Sequence, residues 1–106
     1  MSRRLPLGAD DLAEGAMRGV ALPGDRYVLL ARVGGSLHAI EDVCNHAGCL
    51  LSEGRLEGAR VVCPCHEMAF DVRSGALVTQ PRLCEDQGRY ERVVVEGGKV
   101  WVEVDP

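Results

Sequence analysis

Hydrophobic and polar positions fall in short runs along the chain, each ended by glycine or a polar pair. Tyr27-Val28-Leu29-Leu30-Ala31-Arg32-Val33 is a strand-forming run, Gly34-Gly35 is a two-residue turn, and Leu37-His38-Ala39-Ile40 alternates back. That composition and spacing predict a β-hairpin. The C-terminus repeats the pattern, with Tyr90 to Glu96, then Gly97-Gly98, then the alternating Lys99-Val100-Trp101-Val102-Glu103-Val104. Leu12 to Met17 allows one helical turn, and no segment carries the period of a long helix. Thirteen glycines at short intervals fit many tight turns. The predicted class is all-β: an antiparallel sandwich or small barrel as a base (1–41 and 84–106), with a loop-rich insert at about 42–83.

The 106 residues suffice for one domain, 1–106, with a core of modest size. No internal repeat, low-complexity stretch or linker interrupts it. Twelve basic against sixteen acidic residues give a net charge of −4, which argues against nucleic acid and points to a partner with a basic face. Arg3-Arg4 is followed by Gly8-Ala9-Asp10-Asp11 where an export signal needs an apolar run, and no stretch approaches a membrane span. The expectation is a soluble, cytoplasmic monomer.

Five cysteines in such a chain suggest metal or cofactor chemistry before a disulfide scaffold. Two short segments each offer one thiol and one imidazole: Cys44-Asn45-His46 and Cys63-Pro64-Cys65-His66. A structural zinc site usually sorts its ligands, cysteines on one knuckle and histidines on a helix. The mixed pairs suit a [2Fe–2S] cluster whose one iron takes two cysteines and the other two histidines, each loop giving one of each. A zinc site, or a set of merely buried thiols, is the alternative reading of the same residues.

These residues carry a resemblance to Rieske-type iron–sulfur proteins. It rests on Cys44-Asn45-His46-Ala47-Gly48-Cys49, Leu51-Ser52-Glu53-Gly54, Val62-Cys63-Pro64-Cys65-His66 and Phe70-Asp71-Val72-Arg73-Ser74-Gly75, and spans nearly the whole chain. The resemblance implies one [2Fe–2S] cluster, with Cys44 and Cys63 on the buried iron and His46 and His66 on the outer one. Pro81 stands where the family has a proline loop over the cluster. Cys49 and Cys65 match positions that form a disulfide between the two loops in the Rieske subunits of cytochrome bc complexes. Those subunits follow the second histidine with Gly-Ser-x-Tyr, whose hydroxyls donate to sulfur. Here the segment is Glu67-Met68-Ala69-Phe70, with no hydroxyl at either place. Histidine ligation sets a potential of roughly −150 to +300 mV, and the missing donors predict the low end.

The small size is similar to the ferredoxins that serve bacterial aromatic-ring dioxygenases. That implies a single-electron carrier between a ferredoxin reductase and a terminal oxygenase or other redox protein. The alternative is a small Rieske-like subunit of a larger reductase such as nitrite reductase. No acid/base or nucleophile constellation stands outside the ligand pairs, so no catalytic residue is assigned and the chain is read as an electron-transfer component, not an enzyme. Cys84 reads as a buried thiol, His38 as a packing or surface residue, and Trp101 and Tyr90 as packing of the last hairpin.

Overall fold

The computed structural model describes residues 3–44, 48–65, 67–79 and 85–104. Ten strands follow in order: β1 (Arg3–Ala9), β2 (Met17–Leu22), β3 (Arg26–Val33), β4 (Ser36–Glu41), β5 (Arg55–Glu57), β6 (Arg60–Val62), β7 (Ala69–Asp71), β8 (Arg89–Tyr90), β9 (Arg92–Glu96) and β10 (Lys99–Val104). A short 3-10 turn, Leu51–Glu53, is the one other regular element among the described residues. No helix among them is long and apolar enough to cross a membrane.

The strands form three antiparallel sheets, ordered β1-β10-β9, β2-β3-β4-β8 and β5-β6-β7. The middle one is apolar on both faces, which explains the unbroken run Val28-Leu29-Leu30-Ala31, every residue of it buried. Side chains alternate across a strand. Val28, Leu30 and Ala39 therefore meet Leu7, Val100 and Val102 of the β1-β10-β9 sheet in one core. Leu29, Ala31 and Ile40 turn the other way and meet Val61, Phe70 and Val72, together with Cys44 and Cys63. The all-β base is thus a framework whose second core belongs to the cysteine-bearing region.

Both predicted hairpins are present. Gly34-Gly35 and Gly97-Gly98 all have positive φ, as two-residue turns of this hand require. Tyr90 lies outside the last hairpin, on β8, which pairs with β4. The helical turn expected at Leu12–Met17 is instead a tight turn entering β2. The Gly15 N–H donates to Arg32 O (2.9 Å), Arg32 Nε donates to Leu12 O (2.7 Å), and the Glu14 carboxylate accepts from the N–H groups of Gly34 and Gly35 (2.7 Å each). These bonds lay the segment on the β3–β4 hairpin, and its one local pair, Ala16 N–H to Ala13 O (3.0 Å), closes a turn that does not continue as a helix. The region read as loop-rich holds the small β5-β6-β7 sheet, whose strands of three residues are too short to show a period.

Candidate metal centre

Two loops rise from the core that contains Cys44 and Cys63. The first leaves β4 at Glu41 and returns at Leu51. Val43 and Leu50 form a bridge, Cys44 N–H donates to Cys49 O (2.7 Å), and Gly48 N–H donates to Cys44 O (2.8 Å). Gly48 has φ +74°, and a Cβ there would meet nothing, so conformation, not space, favours glycine. The second loop is the β6–β7 connection. Val62 pairs with Ala69, and Cys63 N–H donates to Met68 O (2.8 Å). Cys44 and Cys63 are both buried thiols at the loop bases, among Leu51, Met68, Phe70 and Leu77.

A disulfide joins Cys49 and Cys65, the pair that the resemblance singles out, with a Cα–Cα distance of 6.3 Å. Both half-cystines are partly buried and pack on the same core. Of the four predicted ligands, the structure brings Cys44 and Cys63 into one core; His46 and His66 lie outside the described residues, as do Pro81 and Cys84. Met68 and Phe70 are fully buried, so the positions without hydroxyls face the interior. Thr79 supplies a hydroxyl nearby: it accepts from Ala69 N–H (2.9 Å) and donates to Met68 Sδ (3.9 Å).

The base of the first loop is held from two sides by residues that sequence reading does not reveal. Alternate carbonyls of an extended segment point in opposite directions. Those of Glu41 and Val43 accept from Gln87 Nε2 (2.8 and 2.7 Å), while that of Asp42 accepts from Leu51 N–H (2.8 Å). Gln87 N–H in turn donates to Gly75 O (2.7 Å), and Asp86 accepts from Leu77 N–H (2.8 Å), so segment 86–87 ties the turn after β7 to the first loop. Asp42 is buried, and its carboxylate accepts from Ser52 N–H (2.7 Å) and Ser52 Oγ–H (2.6 Å).

Charges at the rim of the second loop are paired. Glu67 has φ +54° and faces Arg55 at 3.4 Å, and Arg55 also contacts Glu57. Arg73 holds the Asp71 carboxyl below its usual range, chiefly through side-chain hydrogen bonds at 2.8 and 3.0 Å. Arg55 and Arg73 are thus engaged by carboxylates. His38 is half-buried on β4, as expected of a packing residue.

The family model for the Rieske [2Fe–2S] domain matches residues 6–96. The chain is 40% identical over 96 residues to the ferredoxin component of the p-cumate 2,3-dioxygenase system of Pseudomonas putida, covering 90% of this chain and 80% of that protein. A solved complex of reduced oxygenase and oxidized ferredoxin in carbazole 1,9a-dioxygenase contains a chain that superposes with a TM-score of 0.84 and 36% identity, covering 93% of this chain and 91% of that one. A putative NADH-dependent nitrite reductase small subunit from Mycobacterium tuberculosis superposes with a TM-score of 0.81 and 26% identity, covering 100% of this chain and 98% of that one.

Proposed function

The chain belongs to the Rieske [2Fe–2S] domain family, and from that membership we propose that it is a single-electron carrier between a ferredoxin reductase and a terminal oxygenase. It carries one [2Fe–2S] cluster, which when bound takes up and gives back one electron. The ligands are Cys44 and Cys63 at the buried iron and His46 and His66 at the outer iron, within one Rieske domain spanning 1–106 whose insert is about 42–83. The protein acts as a monomer in the cytoplasm, and it is an electron-transfer component, not an enzyme.

The observation that carries the ligand assignment is that two buried thiols, one per loop, enter a single core beneath a disulfide that links the same two loops. The donor chemistry fits. Soft thiolates suit iron–sulfur ligation, and an apolar lining keeps water from the buried sulfurs. Cys44 and Cys63 anchor the loops from below; the Cys49–Cys65 bridge restrains them from above; Gln87 fixes the first loop's stem to the chain beyond the insert.

Iron and sulfide analysis with EPR tests the assignment. Two irons and two sulfides per chain are expected, and His66→Ala should abolish the native Rieske signal. A full-strength native signal in that variant would overturn the ligand set. The likeness to a nitrite reductase small subunit favours a second reading, a subunit of a larger reductase. Co-purification with a large catalytic chain would select it; a chain that purifies alone and accepts one electron supports the carrier.

A further inference from the structure

We propose that Asp42 is a fixed negative charge that lowers the potential of the centre, a role resting on the electron-carrier reading above. Asp42 is 1% exposed, one of two buried polar or charged side chains among the described residues. No arginine or lysine pairs with it among those residues. Its only side-chain partner among the described residues is Ser52. Oδ1 accepts from Ser52 N–H, and Oδ2 accepts from Ser52 Oγ–H at 2.6 Å, so both oxygens act as acceptors.

The site is built around that carboxylate. Asp42 N–H donates to Tyr27 O (2.9 Å) and Asp42 O accepts from Leu51 N–H (2.8 Å), which fixes its backbone. Strand β2 closes over it at Gly19, where a Cβ would lie 2.9 Å from Oδ2 and 2.3 Å from Ser52 Oγ. Burying a charge without a counter-charge costs several kcal/mol. A latch between the ends of the first loop does not need that charge. Asparagine would accept from Ser52 N–H and donate to Ser52 Oγ, giving the same two bonds without the cost. The charge itself is therefore what distinguishes aspartate here.

Its location says what it acts on. Asp42 precedes Cys44 by two residues, so their Cα atoms are about 7 Å apart at most. Leu51, held by the Asp42 carbonyl, belongs to the core that contains Cys44 and Cys63. A negative charge buried at the stem of this loop opposes the arrival of an electron at the sulfurs the loop carries. Asp42 thus works in the same direction as the absent hydroxyls at positions 68 and 70. It touches no reacting atom and acts through the field.

Redox titration of the holoprotein, followed by EPR, tests this with Asp42→Asn and Ser52→Ala. Asp42→Asn is expected to raise the midpoint potential. Ser52→Ala keeps the charge but removes a donor that partly neutralises it, so the potential is expected to fall. Opposite shifts with an unchanged spectral form support the proposal. An unchanged or lowered potential in Asp42→Asn, or shifts of one sign in both variants, would overturn it and leave Asp42 a structural latch. Should Asp42→Asn fail to assemble, Ser52→Ala decides alone: a fall supports the proposal, and no change or a rise overturns it. Wild-type protein without a Rieske EPR signal would instead overturn the electron-carrier reading and remove the premise.

Discussion

Cys49 and Cys65 are bonded across two loops that share no backbone pairing among the described residues, sixteen positions apart in sequence and 6.3 Å apart at Cα. Each loop is closed at its own base, the first by Cys44 N–H to Cys49 O and the second by Cys63 N–H to Met68 O. The bridge is therefore the direct covalent tie between them. Closing a loop of this length stabilises by roughly 3 kcal/mol in the chain-entropy model. Replacing both cysteines by serine should lower the apo protein's stability by about that amount and accelerate cluster loss before the β-framework melts. Visible absorbance recorded alongside far-UV circular dichroism checks the order of events. Thiol titration of denatured, unreduced, iron-free protein should find Cys44, Cys63 and Cys84; five thiols would show that the bridge does not form.

Met68 and Phe70 have buried side chains that offer no donor to sulfur. Introducing Ser and Tyr at these positions should raise the midpoint potential. A charge-assisted bond of about 1.5–3 kcal/mol, present only in the reduced state, corresponds to a shift on the order of 100 mV. Met68→Ser also leaves a cavity in the core and should lower the melting temperature, whereas Phe70→Tyr adds a single oxygen. If wild-type protein already titrates among high-potential Rieske centres, the missing hydroxyls do not set the potential.

Gly54 lies against the base of the second loop. A Cβ there would sit 1.9 Å from Val62 O and 3.1 Å from Pro64 Cδ, the residues on either side of Cys63. Gly54→Ala must displace that backbone and should destabilise by roughly 1–3 kcal/mol, with weaker cluster retention. Gly58→Ala makes the comparison informative. Its Cβ would meet nothing, so its cost is that of the φ of +61° alone, about 1–2 kcal/mol. Chemical denaturation that ranks Gly58→Ala as the more harmful for the cluster would refute the steric account.

How far the chain could be read depends on how local each signal is. The hairpins at Gly34-Gly35 and Gly97-Gly98 are legible because the turn residues and both strands lie within about fifteen positions. Strand β1 is not, since Pro6 and Gly8 flank a register shift that breaks its alternation; an edge position against β10 tolerates them. Strand β2 is half-exposed and carries Gly19, which reads as a breaker but is required by the approach of Ser52 and Asp42. The cysteine pairs are legible because ligand spacing is local. Gln87 is not, because its bonds to Glu41 and Val43 span more than forty positions. Nothing in the sequence around residue 87 marks it as part of the first loop's support.

Tyr90 connects the same stem to alkaline stability. Its hydroxyl donates to Glu41 Oε1 (2.7 Å) and accepts from Arg26 Nη1 (3.4 Å), and Glu41 ends the strand that leads to Cys44. Burial, then the hydrogen bond to Glu41 and its charge, push the phenol up to about 12, with Arg26 opposing. An unfolded tyrosine titrates near about 10. The native state therefore keeps its proton where the unfolded state has lost it, and stability must fall as pH rises through that window. The contribution of Tyr90 should be constant below about pH 10 and disappear progressively toward about 12. Tyr90→Phe removes the titration. It should cost on the order of 1 kcal/mol at neutral pH, through loss of the bond to Glu41, and show a shallower alkaline decline than wild type. Melting temperatures measured from pH 8 to 12 on both proteins, in the disulfide-intact state, give the comparison. Parallel curves would mean that Tyr90 does not govern the alkaline limit. Convergence of the two curves above pH 10 is the expected result, because the advantage of the wild-type phenol is confined to its protonated form.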